Sequence, residues 1–315
     1  MKTKCFQILA ALALMAAPAA QAQTIVPQAF EQTLITPAAE GRYLWLPIEE
    51  AAPEGKVQVI VDGRLQIENN VRVARDKVDY YMPLDLQPYQ KGGALRVVVQ
   101  NVPTQSLGFA HIAQNADPDH ALLQEYYRPR YHHAPKRGWM NDPNGMFHKD
   151  GVWHLYYQHN PYGSMWGNMH WRHSTSSDLV HWNDEGLALE PDVFGTMFSG
   201  SAVTDQGRVV AMYTASRPTP FGGDVQTQGI AFSDDNGRTF TKYEGNPVLT
   251  SDARDYRDPK MFWHQATQQW VMILAAGQEM CIYNSPDLKR WTYASSFGLG
   301  YGNHCGVWEW PDLFQ

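Results

Sequence analysis

Past residue 131 the chain repeats itself with a period of about fifty residues, and this limits the possible folds more than any local propensity does. STSSDLVHW (174–182), FSDDNGRTF (232–240) and NSPDLKRW (284–291) each set Ser and Asp ahead of a turn that closes on an aromatic residue. Asp178, Asp235 and Asp287 are 57 and 52 residues apart. A period of that length marks stacked or radially arranged units. Ahead of each turn lies a hairpin pattern: MFHKDGVWHLYYQHN, SAVTDQGRVVAMYTAS and KMFWHQATQQWVMILAA. Two hairpin strands and two more around the Ser-Asp turn make one propeller blade per unit. The expected fold is therefore all-β.

The residues before the repeat divide into three parts. Lys2 and Lys4, the apolar run Ile8–Ala17 and Ala20-Gln21-Ala22 read as a signal peptide, residues 1–22, cleaved before Gln23. An exported protein is expected, periplasmic or extracellular. The apolar run is too short to span a bilayer, and no later segment is apolar enough, so no membrane span is expected. Residues 23–112 alternate short β-type runs with turns, including a hairpin across Asp62-Gly63, and predict a small antiparallel sandwich-like domain. Residues 113–130 read as a linker, and 131–315 as the repeat unit.

A formal charge of -7 with scattered Lys and Arg argues against nucleic acid as a partner. The aromatic content, 12% with 11 Trp and 16 Tyr, suits sugar rings as well as a β-rich core. Cys281 and Cys305, the two cysteines beyond the leader, are compatible with one disulfide or with two free buried thiols. The histidines, including His132-His133 and His170-x-x-His173, complete no zinc set. There is no phosphate loop and no nucleophile elbow around Gly200-Ser201, so neither a metal nor a cofactor is implied.

If each unit is a blade, its first strand is innermost and whatever precedes that strand sits at the rim of the central funnel. Those strands begin after Asn141-Asp142-Pro143, at Phe198-Ser199-Gly200-Ser201, after Arg257-Asp258-Pro259, and at Glu309-Trp310-Pro311-Asp312. Asp142 to Gly200 and Gly200 to Asp258 are 58 residues each, and Asp258 to Glu309 is 51, so equivalent positions converge on one axis. Carboxyl groups sharing a cavity cannot all ionise comfortably, so one should stay protonated near neutral pH. Glu309, flanked by Trp308 and Trp310, is the candidate, because apolar neighbours disfavour its charge.

WMNDPNG (139–145), FSGS (198–201), RDP (257–259) and WEWPDLF (308–314), with YYQHNP (156–161) and WGNMHWRHSTSSDLVHW (166–182), resemble the ordered motifs of glycoside hydrolase family 32, the invertases, levanases and inulinases. Residues from about 30 to 110 look like the β domain preceding the catalytic unit in some bacterial levanases. The resemblance implies a five-bladed propeller, here incomplete, with about three blades and the first strand of a fourth. It implies Asp142 as nucleophile, Glu309 as general acid and base, and Asp258 as transition-state stabiliser. Asn141, Gln158, Trp166, Phe198, Ser199 and Arg257 would line the pocket for a terminal fructose, with Arg257 keeping Asp258 ionised. The implied reaction releases fructose from terminal β-D-fructofuranosides (levan, inulin or sucrose) with retention, by an exo-acting fructanase or β-fructofuranosidase.

Two departures stand out. Trp310 replaces the family's usual Cys after the acid/base Glu. The repeat also stops one strand into its fourth unit, which would leave strand edges open to self-association. A second expectation from another class is therefore a truncated, non-catalytic remnant that binds fructosides.

Overall fold

The computed structural model describes residues 22–39, 41–115, 126–129 and 131–313. Residues 1–21 of the expected leader and 116–125 and 130 of the expected linker lie outside them. Every extended element is a β-strand; the described helices are one 3-10 turn, Gln87–Tyr89, and α1, Gly108–His111.

The first eight strands are β1 (Thr24–Ala29), β2 (Gln32–Thr36), β3 (Tyr43–Ile48), β4 (Gly55–Val61), β5 (Arg64–Val71), β6 (Tyr80–Asp85), β7 (Leu95–Gln100) and β8 (Ala113–Asn115). They form a five-stranded sheet, β1-β2-β7-β4-β5, and a three-stranded sheet, β6-β3-β8. Ile35, Val57, Val59, Val97 and Val99 of the first sheet meet Leu44, Leu46, Ile48, Met82 and Leu84 of the second. Each such side chain removed from water contributes about 1.5–3 kcal/mol. The Asp62-Gly63 hairpin turns as its sequence predicts, with φ of 49° and 76°, the left-handed pair that matches strand twist. The alternation in β4 and β5 turns Val57, Val59 and Ile67 inward and leaves Lys56, Gln58, Glu68 and Asn70 on the opposite face.

Three four-stranded antiparallel meanders follow. The first is β9 (Trp139–Lys149), β10 (Val152–Asn160), β11 (His170–Ser176) and β12 (Asn183–Leu189). The second is β13 (Thr196–Asp205), β14 (Arg208–Pro218), β15 (Asp224–Ser233) and β16 (Thr241–Lys242). The third is β17 (Tyr256–His264), β18 (Gln269–Ala276), β19 (Met280–Ser285) and β20 (Thr292–Phe297). Their first strands β9, β13 and β17 pack side by side, as the inner strands of successive propeller blades do. Tyr156, Trp171, Met197 and Tyr213 fill the seam between the first two blades, and Met212, Ile230, Tyr256 and Met272 that between the second and third.

The repeated Ser-Asp motif is the turn between the third and fourth strands of each blade. Ser176, Ser233 and Ser285 are buried, and each Oγ donates to the Asp two residues on, at 3.1, 2.7 and 3.3 Å. The same carboxylates accept main-chain N–H groups two to four residues further along: Val180 and His181, Arg238 and Thr239, Lys289 and Arg290. A turn that closes its own polar groups this way recurs wherever the blade needs it.

Residues 309–312, expected as the first strand of a fourth unit, make no ladder pair among the described residues. They are held instead by hydrogen bonds to β9 and β17. The first blade also engages the sandwich. Tyr162 enters the sandwich core, the Asn70 N–H donates to Asn168 Oδ1 at 2.9 Å, and Asn168 Nδ2 donates back to the Asn70 carbonyl at 2.7 Å.

Candidate active site

Each inner strand breaks its pairing register beside the candidate site, and β9 does so a second time further along, at Gly145 and Met146. The ladder skips Asn141 and Asp142 in β9, Ser199 in β13, and Asp258 and Pro259 in β17. A β-bulge re-aims the side chain it carries. Asp142 and Asp258 therefore lie inside their inner strands, at bulges, and not ahead of the strands as expected. In the second blade the bulged residue is Ser199, one position before the Gly200 that the spacing selects. Asp258 has a φ of 63°, a left-handed conformation rare for a residue with a Cβ.

These bulged residues meet. Asp142 is half-buried, and its Oδ2 accepts from Ser199 Oγ at 2.8 Å and from Trp310 Nε1 at 3.0 Å. The main-chain N–H of the same Trp310 donates to Asp258 Oδ2 at 3.1 Å. Trp310 thus ties together the acids of the first and third blades. The Asp258 N–H donates to Thr214 Oγ1, which in turn donates to Gln228 Oε1.

Asp258 is 7% exposed, and burial pushes its pKa up to about 6. The Trp310 N–H and the Arg257 charge oppose the rise, while the charges of Glu309 and Asp142 add to it. This is the desolvated acid that the clustering of carboxyls requires, but it is not the residue expected to play that part. Glu309 is 55% exposed and accepts from Arg257 Nε and Nη2 at 3.1 and 2.9 Å. Its tryptophan neighbours do not enclose it. Trp308 stacks on His304, and Trp310 turns toward the two aspartates.

Arg257 is not reserved for Asp258 either: Nη1 donates to Asp255 Oδ1 at 2.6 Å, and the remaining donors go to Glu309 and Gln226. Its attraction for Asp258 is outweighed by burial. Asn141 accepts from Trp139 Nε1 at 2.7 Å. Gln158 is buried and spends its amide on the Met197 carbonyl at 2.8 Å, which braces the strand that carries Phe198 and Ser199. Trp166, 57% exposed, stands edge-on to Phe198 with ring centroids 5.8 Å apart. Ser201 links blades by donating to the Pro259 carbonyl and accepting from the Met261 N–H.

A cavity of about 260 Å³ adjoins these groups, walled by Asn144, Ser199, Ser201, Asp258, Lys260 and Trp310. Asp142, Arg257 and Glu309 do not line it. The function of Trp310 as a partner was not legible in the sequence, since it depends on contacts with β9 and β17; Asp255, which sequence reasoning also missed, acts on Arg257 two residues along the chain. Among the described residues no group of three or more His, Cys, Asp or Glu side chains is placed to hold a metal ion. His154 and His173 bond each other at 3.0 Å, with burial lowering both pKa values. Cys281 is buried and Cys305 exposed; both are free thiols, neither disulfide-linked nor a buried pair.

The profile of the glycosyl hydrolases family 32 N-terminal domain matches residues 132–315, and a domain of unknown function, DUF4980, matches 31–131. A levanase of Bacillus subtilis is 50% identical over 209 residues, covering 62% of this chain and 30% of the levanase. The extracellular exo-inulinase of Aspergillus niger is 40% identical, covering 60% of this chain and 41% of its own. The β-fructofuranosidase of Schwanniomyces occidentalis, solved with fructosyl-erythritol, superposes with a TM-score of 0.56 at 41% identity, covering 60% of this chain and 40% of that one. The chain therefore spans about a third to two fifths of the length of such relatives. With the profile covering more than half of its residues, this chain belongs to glycosyl hydrolase family 32.

Proposed function

We propose that the chain carries the catalytic acids of a retaining β-fructofuranosidase, which releases fructose from terminal β-D-fructofuranosides such as levan, inulin or sucrose. The observation that carries this reading is the hydrogen-bonded chain Ser199–Asp142–Trp310–Asp258, with Glu309 close enough for its charge to act on Asp258. Both donors to Asp142 take Oδ2, which orients the carboxylate and leaves Oδ1 to attack. As Oδ1 bonds to the anomeric carbon, the glycosidic C–O bond breaks and Glu309 gives its proton to the departing oxygen. Water then gives a proton back to Glu309 and displaces Asp142, so configuration is retained. Ionised Asp258 favours the positive charge that develops on the sugar. Glu309 rests as the partner of Arg257, so substrate must open that pair to bring Glu309 to the departing oxygen; Asp255 keeps Arg257 paired meanwhile.

Asn141, Gln158, Trp166, Phe198, Ser199 and Arg257 are assigned to the pocket around the terminal fructose. Export is part of the proposal, supported by the leader-like first residues and by the extracellular inulinase relative. A specific observation favours the second reading, a fructoside-binding protein without turnover: the side chain assigned as general acid is engaged by Arg257 at 2.9 Å. Incubation of the purified chain with sucrose, levan and inulin separates the two, with Asp142→Asn and Glu309→Gln as controls. Turnover abolished by both controls supports the enzyme; binding without turnover supports the second reading. Free fructose as sole product means exo action, and oligosaccharides mean endo action.

A further inference from the structure

A second cavity, of about 440 Å³, opens beside Trp166 and Phe198 and is walled on its far side by Lys56, Glu68 and Asn70. It is within the usual range for a ligand pocket, about 300–1,000 Å³. Its two walls come from separate parts of the fold. Trp166 and Phe198 belong to the blades, whereas Lys56, Glu68 and Asn70 stand on β4 and β5, on the face turned away from the sandwich core. The cross-strand pairs Lys56 with Asn70 and Gln58 with Glu68 keep these polar groups in one row.

We propose that this cleft binds the fructosyl units of a fructan chain beyond its terminal residue, and that the β4–β5 hairpin, through Lys56 and Glu68, makes the protein prefer polymeric fructans to sucrose. The inference rests on the function proposed above. Its physical basis is the chemistry of the two walls. The exposed Trp166 indole offers an apolar face for a furanose ring. Opposite it, Lys56 Nζ and Glu68 Oε1 are 2.5 Å apart with 40% and 32% of their side chains exposed, a donor and an acceptor placed side by side for a sugar's neighbouring hydroxyls. Gln58 Nε2 donates to the other Glu68 oxygen at 2.6 Å and fixes the carboxylate. The reciprocal Asn70–Asn168 bonds fasten this wall to the loop that carries Trp166, so the cleft is built before ligand arrives. The cleft begins at Trp166, assigned above to the terminal pocket, so a chain seated there extends directly into it.

The test replaces both charges together, Lys56→Ala with Glu68→Ala, so that neither is left unpaired; Glu68→Gln alone serves as a second, milder variant. The readout is the ratio of kcat/KM on inulin-type or levan-type oligosaccharides to that on sucrose. The ratio is expected to fall about tenfold, the loss of one hydrogen bond to a charged group. An unchanged ratio overturns the inference. Titration of a linear fructo-oligosaccharide and of free fructose into Asp142→Asn protein, with and without the paired replacement, gives a second arm. Weakened oligosaccharide binding with unaltered fructose binding supports the inference even if no fructoside is hydrolysed, an outcome that would sink only the catalytic reading. Equal oligosaccharide binding by the two proteins overturns it.

Discussion

Asp258→Asn should make the protein more stable while destroying the proposed activity, and the gain should grow with pH. The carboxyl is 7% exposed, and its pKa is raised from 3.8 to about 6, chiefly by burial. A raised native pKa means that the folded protein binds this proton more tightly than the unfolded chain. The contribution to stability is therefore complete below pH 3.8 and is lost as pH climbs through about 6. At about 1.4 kcal/mol per pH unit of displacement, the wild type loses up to about 3 kcal/mol over that window. Asparagine has no charge to bury, and its carbonyl oxygen can still accept the Trp310 N–H. Urea unfolding of both proteins from pH 4.5 to pH 8 measures the difference. The stability of Asp258→Asn relative to wild type should rise by about 2 kcal/mol across the range. A flat difference, or one that falls with pH, would refute the claim that burial of this carboxylate dominates its energetics.

The same titration predicts an acid limb near pH 6 in kcat/KM of the free enzyme, because the protonated form of Asp258 cannot favour a cationic transition state; pH–rate profiles on sucrose check this. Ser199→Ala removes the 2.8 Å bond to Asp142 and should lower kcat about tenfold to a hundredfold with little change in fold, as read by steady-state kinetics alongside circular dichroism. Trp310→Phe deletes the indole N–H on Asp142 but keeps the main-chain N–H on Asp258, so kcat should change with the position of the acid limb nearly fixed. Ser233→Ala leaves the Gly237 N–H without its buried acceptor and should cost about 1–3 kcal/mol in denaturant unfolding, with activity per folded molecule retained.

The blades were legible because their signals are local. The Ser-Asp turn is closed within five residues, as at Ser233 and Asp235, and the hairpins at Asp150-Gly151 and Gln206-Gly207 rest on left-handed residues that the sequence supplies. The convergence of Asp142 and Asp258 was legible for a related reason. A fixed repeat places equivalent residues at equivalent radii. What the spacing missed by one residue, choosing Gly200 where Ser199 is bulged, is the local register slip that no period records.

By itself, then, the sequence determined the all-β character, the blade repeat and which acids share an axis, since periodic patterning and turn chemistry act over a few residues at a time. Which carboxyl loses its water was set by packing between distant segments. Glu309 has aromatic neighbours in sequence yet is exposed and paired with Arg257, while Asp258 follows a charged Arg257 yet is buried and held by the Trp310 N–H. Desolvation depends on atoms that arrive from distant parts of the chain, and so does the wall that β4 and β5 lend to the cleft beside Trp166.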